Sequence, residues 1–285
     1  MTQDIYYKNY EEKPLKLSII TATWNAENFL PRAIKSLEKQ TDKDFEWIIS
    51  DGSSTDSTLE ILKNVEGINI KIISQEDFGI YDALNRGIKN CNGEFYLVIG
   101  ADDELYPNAV KDYKEAIEDD VDIVTAWIDT ANGISKAEKT PIWLYSIFSH
   151  YVTGHAVGSI YRTKLHEKLG YYSRKFPIAA DQLFVGQSIK CGSKVKIIKK
   201  VVGKFSDEGL SGTDILGSLS EVFRINLILG ENKNLLLLSC KVRTTQKPFL
   251  VLLFLGKVET VYSTLLISLL KPILTIVLVL VILST

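Results

Sequence analysis

The sequence predicts an α/β fold in which a mostly parallel sheet is sandwiched between layers of helices. Short apolar runs rich in β-branched residues alternate with segments of helical periodicity from Lys16 onward. Buried parallel strands have this continuous apolar character, and the helices that connect them cover both faces of the sheet. With 285 residues, the chain is long enough for one such domain and an appendage.

Strands and helices follow one another in a regular order. The predicted strands, in chain order, are KLSIITAT, FEWIIS, INIKIIS, EFYLVI and VDIVTAWI. The predicted helices between them are NAENFLPRAIKSLEKQ, TDSTLEILKN, GIYDALNRGIKN and NAVKDYKEAIE. Pro31 falls in the first turn of the first helix, where a proline is tolerated.

Polar side chains follow four of these strands, at the edge where open parallel sheets bind ligands. They are Thr21 to Asn25, then Asp51, then Gln75 to Asp77, and finally the adjacent pair Asp102 and Asp103. Two carboxylates at the end of an apolar run are costly if they are buried without a counter-charge. A bound metal, a sugar hydroxyl, a neighbouring lysine and solvent are the alternatives for the group that faces them.

Composition and motif content exclude several classes of function. A net charge of −2 gives no case for binding nucleic acid. The sequence has no GxGxxG after its first strand and no GxxxxGK[ST], so neither a dinucleotide fingerprint nor a P-loop is supported. A bound diphosphate would need another source of charge, such as a divalent cation held by acidic residues. Cys91, Cys191 and Cys240 are widely spaced, which fits a reducing compartment.

Four blocks of the sequence resemble the family-2 glycosyltransferases. These blocks, LSIITATWNAENFLPRAIKSL, WIISDGSSTDST, SQEDFGIYDALNRGI and NGEFYLVIGADDEL, have the order and spacing of the family, and the resemblance covers residues 16–212. The resemblance implies an inverting enzyme of GT-A, Rossmann-like fold that uses a nucleotide-diphosphate sugar. The third block is most similar to members that assemble bacterial O-antigen, capsule and colanic-acid-type polysaccharides.

The resemblance also divides the chain into four regions. Residues 1–15 are expected to be an N-terminal extension and residues 16–126 the half that binds the nucleotide sugar. Residues 127–230 are the expected acceptor-binding half, and residues 231–285 form an apolar and basic helical tail.

By this resemblance, the strand ends in the first half bind the donor. Asp51 is expected to accept a hydrogen bond from the nucleotide base, which favours uracil, with Thr21 and Asn25 beside it. Turn chemistry in SDGSSTDST gives Asp51 an alternative role as a turn aspartate that caps the next helix. Asp82 and Arg86 belong to a block expected to close over the nucleotide, although helical spacing alone would leave these polar positions facing solvent.

The acidic pair is the expected metal site. Gly100 occupies the first position of the family's Asp-x-Asp-Asp pattern, so this chain keeps only the last two acids. The resemblance directs Asp102 to the ribose or sugar hydroxyls and Asp103 to Mg²⁺ or Mn²⁺. One or two carboxylates together with substrate phosphates commonly hold such cations, which stabilise the departing diphosphate. The alternative is a pair of capping acids before the following helix.

Asp181 is the expected catalytic base. It matches the family's acid at the start of a helix, which deprotonates the acceptor hydroxyl, and a helix-capping role is compatible with this. His155 is expected either to line the acceptor pocket or to be a buried, hydrogen-bonded histidine. Ser211 and Gly212 are candidates for a loop that orders over the diphosphate. The Gln/Arg-x-x-Arg-Trp block that accompanies processive polymerases is absent, which indicates transfer of a single sugar.

The C-terminal tail combines apolar runs with positive charge. Its purely apolar piece PILTIVLVLVIL is shorter than the roughly 20 residues that span a bilayer. A kinked spanning helix and helices lying in the membrane interface are equal alternatives. The third is a helical surface that packs in a homo-oligomer or against another domain. The basic residues of 241–285, opposed by Glu259 alone, are Lys241, Arg243, Lys247, Lys257 and Lys271.

These features predict metal-dependent transfer of one hexosyl or N-acetylhexosaminyl group, with inversion, from a nucleotide-diphosphate sugar, with a UDP-sugar favoured. The expected acceptor is a hydroxyl of a lipid-linked saccharide, and the expected location is the cytoplasmic face of the cell membrane. The N-terminal segment has no apolar run of the signal-peptide type, which fits that location. The alternatives are a polyprenyl-phosphate glycosyl transferase and a membrane-bound sugar-nucleotide-binding subunit without turnover.

Overall fold

The computed structural model describes residues 4–8, 14–137, 152–206 and 214–230, which belong to one compact unit of residues 1–232. Ser211, Gly212 and the tail of residues 231–285 lie outside the described residues, so their predicted roles stay predictions. Within the described ranges, each helix is too short or too polar to span a membrane.

The described strands form one ten-stranded sheet. Its order is β1-β4-β3-β2-β5-β9-β7-β10-β6, and β8 pairs with β7 beside this path. The strands are β1 (Asp4–Lys8), β2 (Leu15–Thr23), β3 (Glu46–Asp51), β4 (Asn69–Ser74), β5 (Gly93–Val98), β6 (Glu104–Leu105), β7 (Ile123–Thr130), β8 (Gly133–Ser135), β9 (Ser159–Arg162) and β10 (Val195–Lys204).

Seven helices are described. They are α1 (Leu30–Glu38), α2 (Thr58–Lys63), α3 (Ile80–Lys89), α4 (Ala109–Ala116), α5 (Leu165–Leu169), α6 (Ala180–Lys190) and α7 (Ile215–Ile228). The first four agree with the predicted helices, and Pro31 occupies the first turn of α1 as expected.

The sheet is mixed, which corrects the prediction of a mostly parallel one. Strands β4, β3, β2 and β5 are parallel, as are β7 and β10, but β9 lies antiparallel between β5 and β7. Strands β1, β6 and β8 also pair antiparallel with their neighbours. Two antiparallel steps through β9 restore the direction, so β7 points the same way as β5. The carboxyl ends of all the parallel strands therefore meet at one edge.

A hydrophobic core fills each face of the sheet, as the sandwich requires. In β2, Ile19 belongs to the core under α1, α2 and α4, whereas Ile20 belongs to the core under α3, α6 and α7. In β3, Ile49 and Ile48 are divided in the same way. Because both faces are covered, successive residues of a strand are all buried, and the strands are continuous apolar runs.

Candidate active site

A cavity of about 620 Å³ opens at the carboxyl-end edge of the sheet. It brings together four of the predicted site residues: Asp102 and Asp103 after β5, His155 before β9, and Asp181 in the first turn of α6. Its volume lies within the range of about 300–1,000 Å³ that is usual for small-molecule sites. The remaining walls mix apolar and small polar side chains, including Ala22, Tyr81, Leu84, Ile128, Ile178, Gln182 and Ser206.

Asp103 is fixed at the inner wall of this cavity. The side chain is 2% exposed, and its two oxygens accept hydrogen bonds from the backbone N–H groups of Gly100 (2.8 Å) and Ser206 (2.9 Å). Burial and the nearby Asp102 charge raise the pKa of Asp103 to about 7, against the lowering effect of these two hydrogen bonds. A buried carboxylate of this kind is stabilised as an anion when a cation binds beside it.

Gly100 lies against both carboxylates. A Cβ atom at this position would lie 2.7 Å from Asp102 Oδ1 and 2.8 Å from Asp103 Oδ2. The space that a side chain would need at position 100 is therefore filled by the two acids that the chain retains.

Replacing Gly100 with alanine is expected to displace these carboxylates. Because Asp103 is held by two backbone N–H groups, the overlap cannot be relieved by a simple rotation, and we expect a loss of about 1–3 kcal/mol in unfolding free energy. The predicted Mn²⁺-dependent binding of UDP, measured by calorimetry, should weaken as well. An aspartate at position 100 meets the same obstacle, so restoring the family's first acid should disrupt the acidic site. Unchanged UDP binding by Gly100→Ala would contradict this view.

Asp181 is held from two sides. The Tyr81 hydroxyl of α3 lies 2.5 Å from Asp181 Oδ1 and 2.9 Å from the Ile178 carbonyl oxygen. On the other side, the buried Glu221 of α7 accepts hydrogen bonds from the backbone N–H groups of Ile178 (3.0 Å) and Ala179 (2.9 Å). These contacts fix the turn that begins α6, and with it the carboxylate that faces the cavity.

His155 lines the cavity and is hydrogen-bonded at the same time. Its Nε2 atom lies 2.6 Å from the Tyr172 hydroxyl, and its ring packs against those of Tyr161 and Tyr172. The two alternatives left open by the sequence are therefore compatible. Behind it, Tyr96 Oη lies 2.8 Å from His166 Nε2, and the His166 ring stacks on Phe184.

His166 makes the stability of the fold depend on pH. Burial lowers the pKa of His166 to about 4, from 6.5 for a solvated histidine. The unfolded chain then binds more protons between these values, so stability is fully present above pH 6.5 and is lost as the pH falls toward 4. We expect this group to lower the free energy of unfolding by about 2–3 kcal/mol across that range. Urea denaturation at several pH values measures the slope.

His166→Gln is the control that isolates this histidine. Asp103 acts in the opposite direction, because its raised pKa lets the folded protein hold a proton that the unfolded chain releases. Subtracting the free energy of unfolding of His166→Gln from that of wild type at each pH removes the contribution of Asp103, which both proteins share. An acid dependence that is equal in both proteins would rule out the assignment to His166.

Asp51 lies in the core rather than on the cavity wall. Its side chain is fully buried, and its oxygens accept hydrogen bonds from Thr23 Oγ1 (3.0 Å), Ser74 Oγ (2.7 Å), Ser54 Oγ (2.5 Å) and the Ser54 N–H (3.0 Å). A carboxylate offers about four acceptor positions, so this one is saturated. A nucleotide base could reach it only by replacing one of these donors. The predicted contact with the base stays a prediction.

Arg86 packs beside Asp51 on the other face of β3. The guanidinium donates to Ser50 Oγ (2.9 Å) and to the Asp51 carbonyl oxygen (2.8 Å), and it lies 3.5 Å from Asp77 Oδ2. Its Nη1 atom is buried without a hydrogen-bond partner among the described residues. Burial lowers the pKa of Arg86, with Asp77 the strongest opposing influence. Arg86 is not among the described residues that line the cavity, so its predicted contact with the nucleotide stays a prediction.

The remaining predicted donor residues have contacts within the protein. Thr21 is buried, and its hydroxyl accepts a hydrogen bond from Trp47 Nε1 (2.9 Å). Asn25 joins the loop after β2 to the loop after β3 by accepting a hydrogen bond from the Thr55 N–H (2.9 Å). Asp82 forms an ion pair with Arg174. None of the three lies among the described residues that line the cavity, so their contacts with a donor stay predictions.

The sequence-based search missed Tyr81 and Glu221, the residues that hold Asp181. Tyr81 lies within EDFGIYDALNRGI, where helical spacing gives it the character of a core aromatic residue. Glu221 lies 40 residues after Asp181 in sequence, and it is the one acid within a mostly apolar helix. That single acid was the available signal, since a buried carboxylate must find donors.

Asp102 and Asp103 fit a divalent cation whose remaining contacts come from the phosphates of a bound substrate. In the described part of the chain, no group of three or more His, Cys, Asp or Glu side chains has the arrangement of a metal site. Each oxygen of Asp103 accepts one backbone hydrogen bond, which leaves further lone pairs, and Asp102 is half-buried at the cavity. Two carboxylates with substrate phosphates are a common way of holding Mg²⁺.

Known proteins with similar sequences are glycosyltransferases. A PGL/p-HBAD biosynthesis glycosyltransferase of Mycobacterium tuberculosis is 42% identical over 92 residues, which are 31% of this chain and 36% of that protein. A dolichyl N-acetyl-alpha-D-glucosaminyl phosphate 3-beta-D-2,3-diacetamido-2,3-dideoxy-beta-D-glucuronosyltransferase of Methanococcus voltae is 36% identical over 97 residues, 32% of this chain and 30% of that protein. The chain thus matches about a third of the length of these relatives.

Solved structures with low sequence identity share the fold. Staphylococcus aureus TarS 1-349 in complex with UDP-GlcNAc superposes with a TM-score of 0.62 at 23% identity, covering 75% of this chain and 65% of that one. The mannosyltransferase PcManGT of Pyrobaculum calidifontis in complex with GDP-Man and Mn²⁺ gives 0.59 at 15% identity, covering 98% and 84%. The sequence model of the family described as "Glycosyl transferase family 2" matches residues 18–188, more than half of the chain. The chain therefore belongs to glycosyltransferase family 2 and has its mixed α/β, Rossmann-like GT-A fold.

Proposed function

We propose that the protein transfers a single sugar from a nucleotide-diphosphate sugar to a hydroxyl of a lipid-linked saccharide, with inversion at the anomeric carbon. The product belongs to a cell-surface polysaccharide or glycolipid. The observation that carries this proposal is the meeting of the acidic pair after β5 with Asp181 of α6 in one cavity. An inverting transfer needs both a site for the leaving diphosphate and a base for the acceptor.

The acceptor side of the reaction belongs to Asp181. The acceptor oxygen bonds to the anomeric carbon as the bond from that carbon to the diphosphate breaks, and the acceptor proton moves to the Asp181 carboxylate. Tyr81 and the turn held by Glu221 keep that carboxylate in place. Leu84 and Ile178 contribute apolar wall to the same region.

The donor side belongs to the residues after β5. Asp103 would hold Mg²⁺ or Mn²⁺, and Asp102 would contact the ribose or sugar hydroxyls. When bound, the cation would neutralise charge on the departing diphosphate. Mn²⁺ in the PcManGT complex and UDP-GlcNAc in the TarS complex support a divalent cation and a nucleotide sugar as the ligands proposed here. We favour a UDP-sugar carrying a hexose or N-acetylhexosamine as the donor.

The acceptor class and the cellular location rest on the relatives and on the tail. The Methanococcus voltae relative is described as acting on a dolichyl-linked sugar phosphate, which supports a lipid-linked saccharide here. The basic, apolar residues 231–285 would bring the enzyme to the cytoplasmic face of the membrane. O-antigen, capsule or related polysaccharide assembly is the process we favour, and a homo-oligomer through the tail is a further expectation.

A thermal-shift screen of UDP-, GDP- and dTDP-sugars with Mn²⁺ tests the proposal. A nucleotide sugar that binds the folded state raises the melting temperature by mass action, and we expect the largest rise with a UDP-sugar. The rise should require the metal. If every nucleotide sugar left the melting temperature unchanged with Mn²⁺ present, the proposed donor site would be wrong.

A further inference from the structure

A chain of hydrogen bonds runs from the cavity into the core behind it. His155 Nε2 lies 2.6 Å from the Tyr172 hydroxyl, which lies 2.5 Å from the Tyr96 hydroxyl. Tyr96 Oη lies 2.8 Å from His166 Nε2, and His166 Nδ1 lies 3.0 Å from the Gly170 carbonyl oxygen. Four side chains thus connect the cavity wall to the end of α5.

The carbonyl oxygen of Gly170 determines which atom is the donor in each of these hydrogen bonds. A carbonyl oxygen can only accept, so His166 Nδ1 must carry the proton that reaches Gly170. The neutral His166 then has a lone pair on Nε2, which accepts from the Tyr96 hydroxyl. Since Tyr96 has one proton to give, its oxygen accepts from Tyr172, and Tyr172 in turn accepts from Nε2–H of His155.

Burial keeps all four side chains of this hydrogen-bond series neutral. It lowers the pKa of His155 and of His166, the latter to about 4, and it raises the pKa values of Tyr96 and Tyr172 well above their usual range. His155 therefore carries its single proton on Nε2, and its Nδ1 atom bears a lone pair. No hydrogen bond to that Nδ1 atom comes from the described residues.

We propose that His155 Nδ1 accepts a hydrogen bond from a hydroxyl of the acceptor saccharide, and that Tyr172, Tyr96 and His166 are positioning residues that fix the required tautomer. This inference rests on the proposed hydroxyl transfer, and it adds a specificity. A nitrogen that accepts a hydrogen bond from a free hydroxyl discriminates against a saccharide in which that hydroxyl is absent or methylated, because the nitrogen is then covered by the bound saccharide and left unpaired.

The ring ¹⁵N chemical shifts of the full chain labelled at histidine test the tautomer directly. The sequence contains three histidines, so the signals lost in His150→Gln and in His155→Gln assign the wild-type spectrum. At neutral pH we expect opposite tautomers, with the proton on Nε2 of His155 and on Nδ1 of His166. A proton on Nδ1 of His155 would overturn the proposal. This measurement needs no substrate, so its outcome is independent of whether the protein transfers sugar.

Kinetics with matched tyrosine variants test the role in acceptor binding. The probes are octyl glycosides of glucose, galactose and N-acetylglucosamine, used with the donor that the thermal-shift screen selects. Tyr172→Phe removes the hydroxyl that fixes His155. We expect the KM for the glycoside to rise about fivefold with kcat nearly unchanged, which is the usual contribution of one neutral hydrogen bond.

Tyr171→Phe is the matched control. Tyr171 is the preceding residue and its ring stacks on that of His166, but its hydroxyl takes no part in the hydrogen bonds that connect His155 to His166. An equal rise in KM for both variants would contradict the proposal. If Tyr172→Phe does not fold, Tyr96→Phe interrupts the same chain one link further on. If wild type transfers sugar to none of the glycosides, the hydroxyl transfer itself is in question, and the tautomer measurement still decides the inference.

Discussion

Replacing Asp181 with asparagine is expected to lower the rate of sugar transfer to a hydroxyl acceptor by roughly 10²- to 10⁴-fold, the usual contribution of a general base. Asparagine has nearly the same volume, and its carbonyl oxygen can still accept the hydrogen bond from Tyr81. It cannot take up the acceptor proton. The turnover number, measured at saturating donor and acceptor, should fall while the melting temperature changes little.

Asp120→Asn provides the matched control for this substitution. Asp120 is an exposed carboxylate that pairs with Lys194 on the surface, so the same chemical change there should leave transfer unaffected. If Asp181→Asn retained full transfer to a hydroxyl, Asp181 would not be the base. Retained transfer to a polyprenyl phosphate, with loss of hydroxyl transfer, would favour the polyprenyl-phosphate alternative, because a phosphate needs little help from a base.

Removal of either acid after β5 is the second large effect that we expect. Asp102→Asn and Asp103→Ala should each weaken Mn²⁺-dependent binding of UDP by at least about tenfold, or about 1.4 kcal/mol. Their effects on stability should differ. Asp103→Ala leaves the N–H groups of Gly100 and Ser206 without their acceptor, at a cost of about 1–3 kcal/mol for each group that stays buried and unpaired. Calorimetric titrations and urea denaturation separate the two effects.

UDP binding without metal is the internal reference for these variants. It should be similar in wild type and in a folded Asp103→Ala protein, because the contribution lost there is the one that the cation would provide. In Asp102→Asn it should weaken, because Asp102 is the proposed contact of the ribose. If a folded Asp103→Ala protein bound UDP with the same dependence on Mn²⁺ as wild type, the assignment of Asp103 to the metal would be wrong.

The first half of the fold was predictable because its strands are buried on both faces. Ile19 and Ile20, or Ile48 and Ile49, enter opposite cores, so the strands appear in the sequence as unbroken apolar runs. Strands β9 and β10 give a weaker signal. The former has four residues, and the latter, VKIIKKVVGK, contains four lysines and is only partly buried along much of its length. The antiparallel insertion of β9 depends on long-range pairing that no local pattern encodes.

The part of the site that could be predicted consists of residues whose chemistry requires a partner and whose position is evident from the adjacent sequence. Adjacent acids at a strand end required a counter-charge, and the structure places both at a cavity. Asp51 shows the limit of that reasoning. Thr23, Ser54 and Ser74 supply its hydrogen bonds, and these residues come from three different segments. Only the register of β2, β3 and β4 reveals that the carboxylate is already saturated within the protein.

Paramagnetic relaxation by Mn²⁺ tests the central claim most directly, because it locates the metal while the nucleotide is bound. With UDP and substoichiometric Mn²⁺ added to the ¹⁵N-labelled full chain, we predict that amide signals of residues 100–103 and of Ala156 and Ser206 broaden at the cavity. Signals of residues 91–94, at the amino end of β5, should remain sharp. Broadening that is centred elsewhere, or that is unchanged in the Asp102→Asn and Asp103→Ala proteins, would contradict a donor site at this cavity.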